Sequence, residues 1–451
     1  MFRRNLLKEL KSWREDPHRK PLVLRGARQT GKTTVVELFS TEFDQFVSLN
    51  LESAAARRFW EGDPSIDQIL RNIEIAKNSK IIPGKTLLFL DEIQNEPRAI
   101  QSLRYFFEEK PDLHVIATGS LMELSLKSQG FSFPVGRVTF LYSYPLRFDE
   151  FLLALSQKEL AEELKSIRSD AGISPALHSL AMDQFQQYLY VGGMPEAVQI
   201  YAEEKSYAPL ASIKEGLLTS FEEDVPKYAR PAQVPYLQFL IQHAPLFAGQ
   251  RIQYTNFANS GYRSREMRNA FETLEKAMIT QRILGSPQVT PPIQPNFRVS
   301  PKLLYLDTGL VSYALHLDPQ SLKMADLNDL FRGTLAEQIV AQELLSQTAI
   351  KREPPSFWYR NQPGSTAEID YCLQVKGKLI PIEVKSGKTG RLRSLFEFMD
   401  QSPHPYAVRI YSGPLKIERL ITRRGKNFHL LSLPFYLTFN IQEILGDWIR
   451  E

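Results

Sequence analysis

The chain has 451 residues, too many for a single hydrophobic core, and its length suggests about three domains. Hydrophobic residues make up 43% and charged residues 24%, a balance that excludes a disordered or fibrous protein. The net charge of +4 is too small to imply a nucleic-acid partner by itself, so any basic surface must be local. The single cysteine, Cys372, excludes an internal disulfide framework and a Cys-based zinc site. Leu6, Leu7 and Leu10 open an amphipathic helix without a signal-peptide core, and no apolar run is long enough to span a bilayer. A cytoplasmic protein with no membrane partner is expected.

The first informative stretch is a short apolar run ending at Leu24, followed by Gly26, Ala27, Arg28, Gln29, Thr30, Gly31, Lys32 and Thr33. These eight residues match G-x-x-x-x-G-K-[ST]; with Thr34 they are the expected nucleotide-binding residues, and a helical pattern (Val35, Val36, Leu38, Phe39) follows. Glycines let successive backbone N–H groups turn towards a triphosphate, and the helix N-terminus adds its dipole. Lys32 is expected at the β/γ-phosphates and Thr33 on Mg²⁺, which implies an ATP-type ligand. A strand at 46–51 and a helix at 66–76 follow. Next comes the apolar run 86–90, read as a strand buried on both faces, ending in Asp91 and Glu92. Asp91 is expected on the metal and Glu92 as the base that activates water. After a helix at 98–109, the strand 114–120 carries Thr118 and Ser120 at its tip. Either could position water, and the spacing does not choose between them.

This order of loop, Asp-Glu strand and polar-tipped strand, followed by Arg137 before the strand 138–142, resembles an AAA+ ATPase. The resemblance implies that Arg137 acts as an arginine finger in a neighbouring subunit's site, and so a homo-oligomer. Tyr144-Pro-Leu-Arg-Phe-Asp-Glu-Phe151 and Tyr190-Val-Gly-Gly-Met-Pro-Glu-Ala197 are similar to a bacterial and archaeal branch of these ATPases. Members of that branch typically carry a C-terminal domain of unknown function. One departure from the family pattern is the lid arginine that would reach the γ-phosphate, which no residue here identifies.

Helical patterns at 157–169, 175–191 and 208–224 read as a lid, with Gly192-Gly193 as a break. Beyond a Pro-rich joint at 226–235, Asn256 to Ser264 resembles the turn of a helix-turn-helix, with Ser264 as the cap of a helix over 265–277. Arg263, Arg265 and Arg268 cluster where a recognition helix meets DNA, and strands at 281–284 and 298–306 suggest the wing of a winged helix. Such units also serve purely as packing modules.

The third informative stretch runs from Ala367 to Gly387. Two alternating segments flank Lys376-Gly377, a hairpin with a two- or four-residue loop. That register sets Asp370 opposite Glu383 and Glu368 opposite Lys385. Ile369, Tyr371 and Leu373 would share a core face with Ile380, Ile382 and Val384, leaving two acids and a lysine on the other. The pattern resembles the D…E-x-K motif of restriction-endonuclease-like nucleases, and the helix of Glu337 resembles their leading acidic helix. The resemblance implies Mg²⁺ or Mn²⁺ held by Glu337, Asp370 and Glu383, with Lys385 orienting water. Two plainer readings compete: a cross-strand set of ion pairs, and a capping box formed by Thr334 and Glu337. Lys388, Arg391 and Arg393, then Arg419, Arg423, Arg424 and Lys426, add local positive charge.

The expected architecture is therefore α/β. A P-loop parallel sheet spans residues 1–145, a helical lid 146–230, a winged-helix-like region 231–320, and a restriction-endonuclease-like α/β domain 321–451. The expected function is ATP hydrolysis coupled to nucleic-acid engagement, DNA above all, with metal-dependent cleavage. The alternative is a nucleotide-controlled switch or scaffold whose inert nuclease-like domain binds a protein partner.

Overall fold

The computed structural model describes residues 2–119, 133–134, 136–319, 330–347, 349–350, 352–362, 364–385 and 392–450. Five strands form an all-parallel sheet: β1 (Leu22–Arg25), β2 (Gln45–Asn50), β3 (Thr86–Asp91), β4 (His114–Gly119) and β5 (Thr139–Tyr142). Their order is β2-β3-β4-β1-β5, so the two chemically informative strands, β1 and β3, flank β4 at the centre. Every residue of β3 and β4 is buried, which explains the unbroken apolar run Leu87–Leu90 of β3. One core, with Leu22, Leu24, Phe39 and Phe89, lies on one face; another, with Val23, Leu88, Ile100 and Leu103, lies on the opposite face. The N-terminal helix Leu6–Glu15 buries Leu6, Leu10 and Trp13, spaced for a single face.

The region expected as a lid consists of helices that include Phe148–Ala154, Lys158–Ser166, Pro175–Val191, Pro195–Glu204 and Leu210–Asp224. Gly192-Gly193 breaks the third from the fourth, as expected, and both glycines are sterically required. A Cβ on Gly193 would lie 2.2 Å from the Leu146 carbonyl oxygen, and one on Gly192 would lie 2.1 Å from Asp307 Oδ1. In the middle region, β6 (Thr280–Ile283) pairs antiparallel with β8 (Lys302–Tyr305), the two strands expected of a wing. The preceding helix runs Ser264–Lys276, but Arg263 holds the cap position and no side chain caps it. Ser264 is thus the first helical residue rather than the cap.

Between those two strands, β7 (Gly285–Ser286) leaves the middle region and joins the C-terminal sheet. That sheet adds β9 (Ser356–Tyr359), β10 (Glu368–Val375), β11 (Lys378–Val384), β12 (Tyr406–Tyr411), β13 (Lys416–Ile421) and β14 (Asn427–Pro434), in the order β13-β14-β12-β11-β10-β9-β7. It is mixed, with β11, β12 and β14 parallel and the β10–β11 and β13–β14 pairs antiparallel. Lys376 and Gly377 both have positive φ, so the hairpin closes with the two-residue turn and the expected register, Tyr371 facing Ile382. The expected division of its faces is only half right. A bulge between Ile369 and Cys372 turns Ile369 into a second core with Leu379, Leu395 and Phe398, beneath the helix Arg393–Gln401. The helix Leu330–Leu345 covers the other face and buries Leu335, Ile339 and Leu344.

One continuous apolar core runs from the lid through the middle region into this sheet, joining Phe151, Tyr188, Phe271, Ile339, Tyr371 and Phe435. The boundaries expected at 230 and 320 therefore do not interrupt the packing.

Candidate functional site

The loop Gly26–Thr33 links β1 to the helix Lys32–Ser40. Gln29 and Gly31 both adopt left-handed backbone, which curls the loop at the helix N-terminus. The cradle is closely built: a Cβ on Gly26 would come within 2.5 Å of the Ser143 carbonyl oxygen. Lys32 is buried, and its ammonium donates to the carbonyls of Gly26 (3.1 Å) and Ala27 (2.8 Å). Burial lowers its pKa, opposed by Glu92 and Asp91. A phosphate would supply the missing counter-charge. Thr33 Oγ1 donates to Asp91 Oδ2 at 2.9 Å, so a hydroxyl and a carboxylate from separate elements meet beside the loop. That oxygen donor set fits Mg²⁺.

Asp91 is fixed from its other side by a hydrogen bond from the Thr118 hydroxyl and by the Glu92 N–H at 3.1 Å. Thr118 therefore holds the acid, and Ser120 lies outside the described residues. Glu92 adopts left-handed backbone, and its carboxylate accepts from Gln94 Nε2. Burial raises its pKa, the direction a general base needs. Arg137 sits 45% exposed just before β5, with Nε on Glu108 Oε1 at 2.9 Å. From the lid side, Asp224 pairs with Arg28 of the loop at 2.7 Å.

In the C-terminal module, Glu337, Asp370, Glu383 and Lys385 come together, but not as the expected metal centre. Among the described residues no group of three or more His, Cys, Asp or Glu is arranged to hold a metal ion. Instead Lys302 of β8, only 3% exposed, places its ammonium 2.8 Å from Glu337, 3.0 Å from Glu368 and 3.1 Å from Asp370. Asp370 Oδ2 accepts from the Val384 N–H at 2.8 Å, and Arg251 holds Glu368 at 3.1 Å. Lys385, expected to orient water, is bound to Glu383. Glu337 lies inside its helix and pairs with Lys302, so the capping-box reading also fails. Burial, then Asp370, pushes Glu337 up to about 7 and Glu383 up to about 8. Burial opposes the Lys302 charge, yet Asp370 and Glu337 outweigh it and hold the ammonium well above its ordinary range. Sequence reasoning missed Lys302 and Arg251. The one available signal was a lysine opening the apolar strand Leu303–Leu306.

The basic residues are partly surface groups. Arg263, Arg265, Arg268, Arg393, Arg419, Arg423 and Arg424 are exposed. Lys426 is tied to the Ser402 carbonyl, and Lys388 and Arg391 lie outside the described residues.

Residues 18–152 match the family model described as an AAA domain. The N-terminal unit is an AAA-type P-loop ATPase domain. The protein is accordingly an ATPase, with Lys32, Thr33, Asp91 and Glu92 inside the matched span. Residues 182–321 and 332–436 match two further models, each described only as a domain of unknown function. The first of these crosses position 230, as the core does. Among solved structures, the chain is similar to a Walker-type ATPase, PABY2304 of Pyrococcus abyssi, at 13% identity and TM-score 0.43, over 70% of this chain and 96% of that one. It is also similar to PCH-2 of C. elegans (13%, TM-score 0.31, 48% and 70%) and to AMPPCP-bound DnaA from Aquifex aeolicus (13%, TM-score 0.25, 60% and 86%). No curated protein matches the chain.

A chain of buried polar contacts connects the ATPase loop to the C-terminal module. Arg4 donates to the Thr30 carbonyl (3.1 Å), to the Tyr144 carbonyl (2.8 Å) and to Glu150 (3.1 Å). Glu150 accepts from the Arg147 N–H at 3.0 Å, and the next residue, Phe148, donates its N–H to Glu343 at 3.1 Å. Tyr188 also donates to Glu343, at 2.8 Å. On the same helix Gln342 accepts from the Thr308 N–H, and Gln338 makes two hydrogen bonds to the Tyr305 backbone. Glu337 then reaches Lys302, about 9 Å along the helix from Glu343 at 1.5 Å per residue. The two stretches likened to the ATPase branch both lie on this path: Tyr144–Phe151 supplies Arg147, Phe148 and Glu150, and Gly193 donates to Asp307 at 2.6 Å.

Proposed function

We propose that the protein is an ATP-driven switch whose nucleotide state sets how its C-terminal half engages nucleic acid. Loop amides of residues 26–34, with Lys32, hold the triphosphate, while Thr33 and Asp91 hold Mg²⁺. Bound there, the metal would neutralise phosphate charge; Thr118 keeps Asp91 in place, and Glu92 takes the proton from the attacking water. Arg137, exposed beside the nucleotide domain, serves as the finger of a neighbouring subunit in a homo-oligomer.

The observation that carries the reading is the buried polar chain from the Thr30 carbonyl to Glu337. It ends on the helix that covers the C-terminal sheet, so a shift of the loop on ATP binding has a rigid element to push. Exposed arginines on the Ser264–Lys276 helix and near β13 supply the phosphate-binding charge. The occupied carboxylate cluster favours engagement without cutting, the inert form of the nuclease-like domain. Linkage is reciprocal, so DNA that binds one nucleotide state better must shift ATP affinity equally. ATP affinity measured with and without duplex DNA tests this, with Mg²⁺ or Mn²⁺ and plasmid as the cleavage control. Altered ATP affinity with intact plasmid supports the switch. Unaltered affinity removes the nucleic-acid arm, and cut plasmid restores the nuclease.

A further inference from the structure

The Lys32 ammonium is within electrostatic reach of three carboxylates, Glu92, Asp91 and Asp224, and of one further cation, Arg28. Asp91 and Glu92 lie at the end of β3 and are accounted for by the metal and the attacking water. Asp224 comes from outside the ATPase sheet, as the last residue of the helix Leu210–Asp224. Leu210, Leu217 and Phe221 are buried, so that helix is held in the core and its end is fixed beside the loop. There Asp224 Oδ1 lies 2.7 Å from Arg28 Nη1, with the acid 12% exposed and the arginine 41%. Lys227 approaches the same oxygen at 3.4 Å, but its side chain is largely in solvent. An anionic side chain thus stands where the loop must receive an anion.

We propose that Asp224 sets the nucleotide preference of the site by holding Arg28 in place of a terminal phosphate, so that ATP must displace it and ADP need not. A guanidinium binds carboxylate and phosphate oxygens through the same donors, so the two compete for Arg28 directly. The triphosphate also brings more negative charge to the Lys32 side of the loop, and the carboxylate repels it more strongly than the diphosphate. Release of Asp224 frees the helix end from the loop, so the two nucleotide states differ there as well. A plain tether between helix and loop would instead hold equally with either nucleotide. This role presupposes the loop as the triphosphate site, and Lys32→Ala separates the two. ATP binding that survives Lys32→Ala removes both; binding that needs Lys32, with a preference that ignores Asp224, removes only the role of Asp224.

The test compares ATP and ADP affinities, with Mg²⁺, of the full chain carrying Glu92→Gln, so that ATP persists, and of the same chain also carrying Asp224→Asn. Loss of the carboxylate should tighten ATP by about fivefold and leave ADP within about twofold. Asp224→Glu keeps the charge and should keep the original preference. Arg28→Met should weaken ATP more than ADP, and should remove most of the gain from Asp224→Asn, because the acid acts through the arginine. Equal shifts for the two nucleotides, or weaker ATP binding, in a folded Asp224→Asn protein would overturn the proposal. If Asp224→Asn does not fold, Arg28→Met decides, and equal losses of ATP and ADP affinity would overturn it as well.

Discussion

Glu343 offers the sharpest test of the buried polar chain. Its neighbours Arg4, Arg147, Asp149 and Glu150 already balance, two cations against two acids, so a fifth charge has no partner of its own. Burial is the main cause that pushes Glu343 from 4.5 up to about 8, with Arg147 opposing. Between those two pH values the folded state binds a proton that the unfolded state has released, so stability falls as pH rises through the window. That separation corresponds to a ceiling of about 5 kcal/mol once the pH exceeds 8. Local relaxation reduces what is observed. Glu343→Gln keeps an oxygen for Tyr188 and the Phe148 N–H but cannot ionise. Urea midpoints for both proteins should agree at about pH 4 and below, and the variant should be the more stable by several kcal/mol at pH 9. A difference independent of pH, or one favouring the wild type at high pH, would show that Glu343 carries its charge in the fold.

Lys32→Ala should abolish ATP binding, because it removes the buried ammonium of the loop. Glu92→Gln should bind ATP normally and hydrolyse it about 10²-fold more slowly or worse; wild-type turnover would show that Glu92 is not the base. Arg137→Ala should bind ATP but turn it over poorly, and mixing with Glu92→Gln subunits should restore activity at mixed interfaces. No rescue at any mixing ratio argues against a finger in trans. Gly193→Ala drives a methyl into the Leu146 carbonyl at 2.2 Å and should lower the thermal midpoint by several degrees. An unchanged midpoint would mean that the lid crossing yields freely.

The candidate nucleotide site was legible because its signals are contiguous. A phosphate loop is eight residues in a row, and a doubly buried strand ending in Asp91-Glu92 announces itself by composition. The β10–β11 register was equally legible, since strand alternation and a two-residue turn fix it locally. The bulge at Ile369 was not, because one extra residue leaves no mark in a short alternating run. Nor were Lys302 and Arg4, whose partners lie far along the chain: Asp370 is 68 residues from Lys302, and Glu150 is 146 residues from Arg4. A lone lysine or arginine carries no periodicity or motif, and only the tertiary fold reveals which acids it meets. Thr118 shows the same limit at short range. Its place at a strand tip was readable, while its bond to Asp91 required the packing of β3 against β4.

In the proposed switch, nucleotide state at Lys32 and Glu92 is transmitted to the C-terminal half. This transmission is tested most directly by duplex-DNA affinity of Glu92→Gln protein saturated with ATP, compared with the same protein saturated with ADP, at one fixed salt concentration. The two affinities should differ by at least about fivefold, the lower end of ordinary allosteric coupling, and the difference should vanish in Arg4→Ala. Equal affinities in both nucleotide states, in protein that binds ATP and ADP fully, would contradict it.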